Sequence, residues 1–261
     1  MTTKIEYKPS EELVTMLHPE SVAAESFKIL RTNLSLRDFD KELKLINVVS
    51  SVSEESKSTV ALNLAYVYSN LNKRVLVIDM DLRRPSIHKK LRLKNKMGVT
   101  NVVAKQCTFE EAIIKFAKNY DVLLAGTKTP FASEFVQSKA YSDFLYACKE
   151  VYDIVILDCP PINLVTDGMI VSTYCDGTIM CVATNRAEKK ELEKAKDQLK
   201  QFNVNVIGIV MTRVPISKKK YGYDYGYSYG YGYGYGYGHE HHEKKKSFLS
   251  KKKWLIFIHT C

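Results

Sequence analysis

Residues 50–59 have the types and spacing of a loop that binds phosphate groups, and we call them the phosphate loop. They read Ser-Ser-Val-Ser-Glu-Glu-Ser-Lys-Ser-Thr and lie between an apolar run and a helical pattern. A turn between a strand and a helix directs main-chain N–H groups and the helix N-terminus at an anion. Lys57 would reach the β- and γ-phosphate oxygens of a nucleotide, and Ser58 would hold Mg²⁺. The predicted nucleotide-binding residues are Ser53, Glu54, Glu55, Ser56, Lys57, Ser58 and Thr59.

The phosphate loop contains no glycine, although such loops ordinarily have glycine at the positions of Ser51 and Ser56. Glycine permits a positive φ there and lets the main chain approach a phosphate closely. A β-carbon at Ser56 would cost about 1–3 kcal/mol if φ is positive. That energy corresponds to roughly tenfold to hundredfold weaker nucleotide binding. The alternative interpretation is an ordinary helix that begins with a serine cap.

Two further apolar runs end in carboxylates. Asp79 and Asp81 follow one run, and side chains two residues apart on an extended chain point to the same side. Neighbouring carboxylates repel unless a cation lies between them, so Mg²⁺ coordination is a natural use of the pair. Asp158 ends the other run and precedes two prolines, an arrangement typical of a Walker B aspartate that binds Mg²⁺ directly or through water. Taken singly, the Asp79–Asp81 pair and the Asp158 turn are also compatible with solvated turns.

Alternating strand and helix patterns must position these residues. Short, nearly continuous Val/Ile/Leu runs predict strands covered on both faces, with longer helical patterns between them. The predicted strands are residues 45–49, 74–78, 122–124, 154–157, 178–182 and 204–211, and the predicted helices include residues 59–71, 133–152 and 187–202. Thr108 and Glu111 predict a capping box at the start of another helix. The pattern indicates an α/β fold, a doubly wound, mostly parallel sheet flanked by helices, with ligands at the carboxyl ends of the strands.

The composition divides the chain into a folded body and a tail. The 261 residues carry a net charge of +10, and residues 217–261, with nine Lys, no Arg and three acidic residues, carry +6 of it. Nine of the 17 Tyr and seven of the 12 Gly lie in residues 221–238. We expect a P-loop domain in residues 1–216 and a disordered Tyr- and Lys-rich tail in residues 217–261. Nucleic acid is not an expected partner, because the excess charge lies in the tail and includes no Arg.

The remaining composition favours a cytosolic protein. No apolar run reaches the roughly 18 residues that span a bilayer, and the N-terminus has no signal-peptide pattern. The six Cys form no CxxC pair and no framework spacing, which favours a reducing compartment. The Lys-rich end of the tail and the apolar residues 254–258 are compatible with contact to a membrane surface.

Tyrosine occupies every odd position from 221 to 237, and glycine occupies most positions between. One interpretation is a flexible segment with no role in the core. The other is a multisite phosphoacceptor, in which each phosphate adds a charge of about −1.5 to −2. The candidate acceptors are Tyr221, Tyr223, Tyr225, Tyr227, Tyr229, Tyr231, Tyr233, Tyr235 and Tyr237.

Together, these motifs resemble the bacterial tyrosine kinases (BY-kinases) of capsule and exopolysaccharide synthesis, a branch of the P-loop ATPases of the deviant Walker type. Residues 79–83, Asp-Met-Asp-Leu-Arg, match the family's Walker A′ motif, and residues 158–161, Asp-Cys-Pro-Pro, match its Walker B motif. Residues 25–34 are similar to the family's oligomerisation helix, with Lys28 in place of the first Arg of Glu-x-x-Arg-x-x-Arg. The resemblance covers roughly residues 15–240 and includes a C-terminal tyrosine cluster.

The chain also departs from the family pattern. Ser53, Glu54 and Ser56 stand where the family usually has Pro, Gly and Gly. Phe131 lies in a segment that is usually Pro-Asn-Pro, and Thr212 replaces an Asn that commonly contacts the adenine ring. The loop without glycine motivates a second interpretation, a catalytically impaired scaffold of the same machinery. A third, a partition-type ATPase, leaves the tyrosine repeat unexplained.

The resemblance implies an ATP- and Mg²⁺-dependent tyrosine kinase that phosphorylates its own tail between subunits. Catalysis would fall to Lys57, Asp79 and Asp81, with Asp81, or alternatively Asp79, accepting the tyrosine proton. The Mg²⁺ ligands would be Ser58, Asp79 and Asp158.

The resemblance also implies partners. Glu25, Lys28 and Arg31 recur at i, i+3 and i+6 and would form the seam of a ring-like homo-oligomer; the alternative is a Glu25–Lys28 pair within one chain. A separate transmembrane protein would act as activator, as in Gram-positive members. The chain would then regulate polysaccharide polymerisation and export from the cytoplasm, at the inner face of the cell membrane.

Overall fold

Eight strands and ten helices form the computed structural model, which describes residues 10–37, 42–215 and 257–259. The strands are β1 (Leu45–Ser50), β2 (Val75–Asp79), β3 (Ile114–Ala117), β4 (Tyr120–Leu123), β5 (Ile154–Asp158), β6 (Gly177–Ala183), β7 (Val206–Thr212) and β8 (Phe257–His259). The helices are α1 (Val14–Leu17), α2 (Val22–Arg37), α3 (Lys57–Ser69), α4 (Ile87–Lys90), α5 (Val99–Val103), α6 (Phe109–Ala112), α7 (Ala132–Gln137), α8 (Lys139–Val151), α9 (Asp167–Tyr174) and α10 (Lys189–Gln201).

The strands form one sheet in the order β3-β4-β2-β5-β1-β6-β7-β8. The six strands from β4 to β7 in this order run parallel, and β3 and β8 are antiparallel at the two edges. This arrangement confirms the predicted mostly parallel sheet. Because parallel strands end at the same edge, it gathers the loops after β1, β2 and β5.

Helices cover both faces of the sheet, so the apolar strand residues are buried on both sides. Ile46 and Val48 of β1 pack with the α2 and α3 side chains, whereas Leu45 and Val49 pack with the α8 and α10 side chains. Successive side chains of a strand point to opposite faces, so a strand covered on both sides must be apolar at nearly every position. All six residues of β1 are buried.

Helix boundaries follow local capping chemistry. The predicted capping box is confirmed at α6, where the Glu111 main-chain N–H donates to Thr108 Oγ1 (3.2 Å) and the Thr108 N–H donates to Glu111 Oε2 (2.8 Å). The single helix predicted over residues 133–152 is wrong, because Ser138 has an extended backbone that separates α7 from α8. Ser138 Oγ accepts from the Tyr141 N–H at 3.2 Å and caps α8.

The two antiparallel edge strands were not predicted. β3 has four residues, of which Phe116 alone is buried, so it lacks the apolar run that identifies a buried strand. β8 pairs with β7 through Met211–Phe257, Val210–Ile258 and Ile209–His259, inside the segment predicted to be a tail. The remainder of that segment, with the boundary predicted between residues 216 and 217, lies outside the described residues. Within the described ranges, no helix is both long and apolar enough to cross a membrane.

Candidate active site

Three adjacent strand ends meet at the carboxyl edge of the sheet. β5 lies between β2 and β1, and the parallel registers align Asp158 with Asp79 on one side and with Val48 on the other. The phosphate loop follows β1 and leads into α3. The structure therefore brings together the phosphate loop, Asp79 and Asp158, which are far apart in sequence.

The phosphate loop has a glycine-like backbone without glycine. Glu54 has a φ of 64° and Ser56 a φ of 67°, both in the left-handed region that glycine tolerates best. These are two of the positions at which the family usually has glycine. Ser56 Oγ is buried and has no hydrogen-bond partner among the described residues. A buried hydroxyl without a partner costs free energy, so an anion in the loop would satisfy it.

The Glu55 side chain braces the loop from inside. The residue is fully buried, and its Oε2 accepts from the Ser51 and Val52 N–H groups (3.0 and 3.1 Å). Its Oε1 accepts from the Ala183 N–H at the end of β6 (3.0 Å), and the Thr212 hydroxyl of β7 donates to the Glu55 carbonyl (3.1 Å). These bonds fix the loop to itself and to two strands, β6 and β7. With its carboxylate and carbonyl engaged in these bonds, Glu55 would contribute its main-chain N–H to a nucleotide.

The residues after Ser56 begin α3. The first two interact with groups of the site, and the third contacts the N-terminal segment. Lys57 is 8% exposed, and its positive charge opposes protonation of Asp158. Ser58 Oγ lies 2.7 Å from Ser86 Oγ. Thr59 faces the N-terminal segment instead, where its hydroxyl donates to Glu12 Oε2 (2.7 Å).

The two buried aspartates have raised pKa values. Burial, followed by repulsion from Asp158, raises the pKa of Asp79 well above its usual range. Burial also raises the pKa of Asp158, to about 6, although Lys57 and the hydroxyl of Ser58 act in the opposite direction. A divalent cation between the two carboxylates would stabilise their charged forms and so oppose both shifts.

The donor set fits a magnesium ion. Asp158 Oδ1 is buried without a hydrogen-bond partner among the described residues. Asp79 is already held in place, since its Oδ2 accepts from the Ser86 and Ile87 N–H groups (3.1 and 3.0 Å). No cluster of three or more His, Cys, Asp or Glu side chains in the described ranges is arranged to hold a metal. Mg²⁺ needs no such cluster, because it is usually bound by one or two carboxylates together with phosphate oxygens and waters.

Asp81 lies at the exposed side of the site. Its Oδ1 accepts from the Arg84 N–H (2.9 Å), and the side chain is only partly buried. The neighbouring Arg83 donates from Nε and Nη2 to the carboxylate of Asp167 (2.7 and 3.2 Å). The hydroxyl of Ser133 donates to the same carboxylate at 2.5 Å. These bonds fix the turn that carries Asp81 to the starts of α7 and α9.

Asp167 is a component of the site to which the sequence assigned no role. Burial alone would raise the pKa of its carboxyl, but the hydrogen bonds from Arg83 and Ser133 outweigh burial and lower it. The carboxylate is therefore ionised and clamps Arg83. The motif Asp-x-Asp-x-Arg indicates that Arg83 belongs to the site, but no local sequence pattern indicates its partner Asp167, which lies 84 residues away.

The predicted oligomerisation residues make contacts within the chain. Lys28 Nζ lies 3.0 Å from Glu25 Oε2, as in the alternative interpretation. Arg31 Nη1 donates to the Val67 carbonyl in the last turn of α3 (3.0 Å). Their role between subunits stays a prediction, and the nine candidate phosphoacceptor tyrosines lie outside the described residues.

Comparisons with known proteins agree with this geometry. Residues 43–205 match the AAA domain family. The chain is 35% identical over 212 residues to the tyrosine-protein kinase YwqD of Bacillus subtilis, covering 80% of this chain and 90% of that protein. The crystal structure of the chimerical protein CapA2B2 is similar, with a TM-score of 0.77 and 28% identity over 81% of this chain and 95% of that one. The kinase domain of the Escherichia coli tyrosine kinase ETK gives a TM-score of 0.74 and 26% identity, covering 87% of each chain.

Proposed function

Because the chain belongs to the family of bacterial tyrosine-protein kinases, we propose that it binds ATP with Mg²⁺ and transfers the γ-phosphoryl group to its own tyrosines. One observation carries the proposal. The ends of three adjacent parallel strands bring a glycine-like phosphate loop with its lysine next to two buried carboxylates, Asp79 and Asp158. Phosphoryl transfer depends mainly on positioning and charge neutralisation, which these groups supply.

In this proposal the phosphate loop holds the nucleotide. The main-chain N–H groups of residues 53–59 and the Ser56 hydroxyl donate to phosphate oxygens, and Lys57 neutralises charge on the β- and γ-phosphates. Asp79, Asp158 and Ser58 would hold Mg²⁺. When bound, Mg²⁺ neutralises the charge that develops on the phosphate oxygens during transfer.

Asp81 is the proposed proton acceptor. The tyrosine oxygen forms a bond to the γ-phosphorus, the bond from that phosphorus to the β–γ bridging oxygen breaks, and the tyrosine proton passes to a carboxylate. Asp79 is fully buried and already accepts three main-chain N–H groups. Asp81 is partly exposed, so its carboxylate is the one that a tyrosine side chain can approach.

The nine tail tyrosines are the proposed acceptors. β7, the last described strand before these tyrosines in the sequence, ends with Thr212 at the carboxyl edge, where the Thr212 hydroxyl contacts the phosphate loop. Family membership supports transfer between subunits of a ring-like oligomer that uses Glu25, Lys28 and Arg31. It also supports a separate transmembrane activator, a cytoplasmic position at the inner face of the membrane, and a role in regulating polysaccharide polymerisation and export.

The impaired-scaffold interpretation is not favoured. It depends on the missing glycines, but Glu54 and Ser56 already have the backbone that glycine would provide. The strain of roughly 1–3 kcal/mol per residue therefore falls on the stability of the folded chain rather than on nucleotide binding. A partition-type ATPase is not favoured either, because the similar proteins reported above are tyrosine kinases.

An ATP titration with and without Mg²⁺ tests the proposal. Lys57→Met should abolish ATP binding and tyrosine phosphorylation, since Lys57 supplies the positive charge within the phosphate loop. Lys73→Met removes the same charge from an exposed turn and should leave both unchanged. Equal ATP affinity in wild type and Lys57→Met would contradict the P-loop assignment.

A further inference from the structure

A single arginine from the neighbouring loop grips the tip of the phosphate loop. Arg186 lies in the turn after β6, where its N–H donates to the Ala183 carbonyl (3.2 Å). Its Nη2 lies 3.1 Å from Glu54 Oε2, and its Nε donates to the Ser53 carbonyl (3.2 Å). One guanidinium group thus contacts both the side chain of Glu54 and the peptide that precedes it.

Glu54 creates a problem that glycine would not. It adds a carboxylate to a loop that receives phosphates, and like charges repel. Its φ of 64° also requires contacts that hold a strained backbone in place. Arg186 answers both needs, because it neutralises the carboxylate and fixes the Ser53 carbonyl.

We propose that Arg186 is a positioning residue that allows the glycine-free phosphate loop to bind a nucleoside triphosphate. It does so by neutralising the Glu54 carboxylate and holding the backbone of the loop at Ser53. The inference rests on the proposed function and deepens it, because it assigns a partner to the loop's most unusual residue. Arg186 acts through Glu54 and is not assigned a contact with the nucleotide.

The test is a double-mutant cycle read out as the ATP dissociation constant. Wild type, Arg186→Ala, Glu54→Gln and the double variant are titrated with ATP–Mg²⁺ by calorimetry. Arg186→Ala should weaken binding about threefold to fivefold in the wild-type chain, because the exposed Glu54 carboxylate is then left unpaired in a loop that receives phosphates. In the Glu54→Gln background the same change should weaken binding less than about twofold, because only the bond to the Ser53 carbonyl is then lost.

A matched control separates the contact from the charge alone. Lys189 lies three residues further on and pairs with Glu193 (3.6 Å), so Lys189→Ala removes the same charge without touching the loop. It should leave ATP affinity within about twofold of wild type. Urea unfolding of the nucleotide-free variants checks that each one is folded.

The outcomes distinguish this inference from the proposed function. Equal losses in both backgrounds would mean that Arg186 acts independently of Glu54, and no loss in Arg186→Ala would remove its role; either result overturns the inference. In both cases wild type would still bind ATP and Lys57→Met would not, so the proposed function would stand. Wild type that binds no ATP would overturn both.

Discussion

Ser56 holds a backbone conformation that residues with a β-carbon rarely adopt, and its hydroxyl is buried without a partner. We expect Ser56→Gly to raise the free energy of unfolding by about 1 kcal/mol. The relief of positive-φ strain, about 1–3 kcal/mol, exceeds the entropy that glycine loses on folding, about 0.5–1 kcal/mol. Urea denaturation of the nucleotide-free protein measures the difference.

Ser56→Ala is the control for this prediction. It removes the same hydroxyl but keeps the β-carbon, so the difference between the glycine and alanine variants isolates the strain. If the glycine variant were less stable than the alanine variant, the phosphate loop would not be storing strain at this residue.

Asp158 should make the metal-free protein lose stability as pH rises. Its pKa is about 6 in the folded chain and 3.8 ordinarily, so the folded state binds its proton more tightly. The resulting stabilisation is complete below about pH 4 and lost as pH rises through 6. The free energy of unfolding of Asp158→Asn should therefore exceed that of wild type by roughly 2–3 kcal/mol at pH 7 in EDTA. At pH 4 the two free energies should differ little.

Denaturant unfolding at a series of pH values measures this difference. Asp143→Asn removes an exposed carboxylate that pairs with Lys139 and should show little difference from wild type at either pH. An Asp158→Asn advantage that does not change between pH 4 and pH 7 would contradict a raised pKa in the folded chain.

At the scale of elements, α2 is tied to α3 by Arg31. A cation at a helix C-terminus is favourable, so this bond alone accounts for about 1 kcal/mol of stability. If α2 also forms the seam between subunits, Arg31→Glu should convert a ring-like oligomer to monomers. Light scattering measures the mass.

Arg31→Gln tests whether the charge of Arg31 matters for assembly, because glutamine keeps a polar N–H donor but carries no charge. Dissociation of this variant into folded monomers would mean that assembly needs the positive charge of Arg31. An unchanged mass in Arg31→Glu would leave Arg31 with its contact inside the chain alone.

Elements that depend on local chemistry could be predicted from the sequence, and those that depend on distant contacts could not. The Thr108 capping box and the apolar runs of β1 and β5 are local signals. Ser138 is a cap inside an otherwise helical pattern, and β3 is recognisable only through its pairing with β4.

The site follows the same division. Asp79 and Asp158 end predictable strands, and Lys57 follows the loop after another, so their meeting could be inferred. The contacts of Arg186 with the phosphate loop and of Asp167 with Arg83 join residues 133 and 84 positions apart, and no periodicity records them.

At the scale of the whole molecule, phosphorylation of the tail should destabilise the proposed ring-like oligomer. Each phosphate adds a charge of about −1.5 to −2, which is repelled by Asp79, Asp81 and Asp158 at the site. We expect the mass measured by light scattering to fall after incubation with ATP–Mg²⁺. A variant with all nine tail tyrosines changed to Phe should keep its mass. A heavily phosphorylated wild type that stays assembled would contradict this prediction.

The pairing of β8 with β7 gives the described structure a strand on the C-terminal side of the nine tyrosines. Because the two strands are antiparallel, the chain leaves the sheet after Thr212 and rejoins it at Phe257, beside Met211, at the same carboxyl edge. Thr212 and Phe257 therefore lie at one edge, and the nine tyrosines stand between them in the sequence. A chain that connects two fixed points stays near both of them, so its local concentration there does not depend on the concentration of the protein in solution.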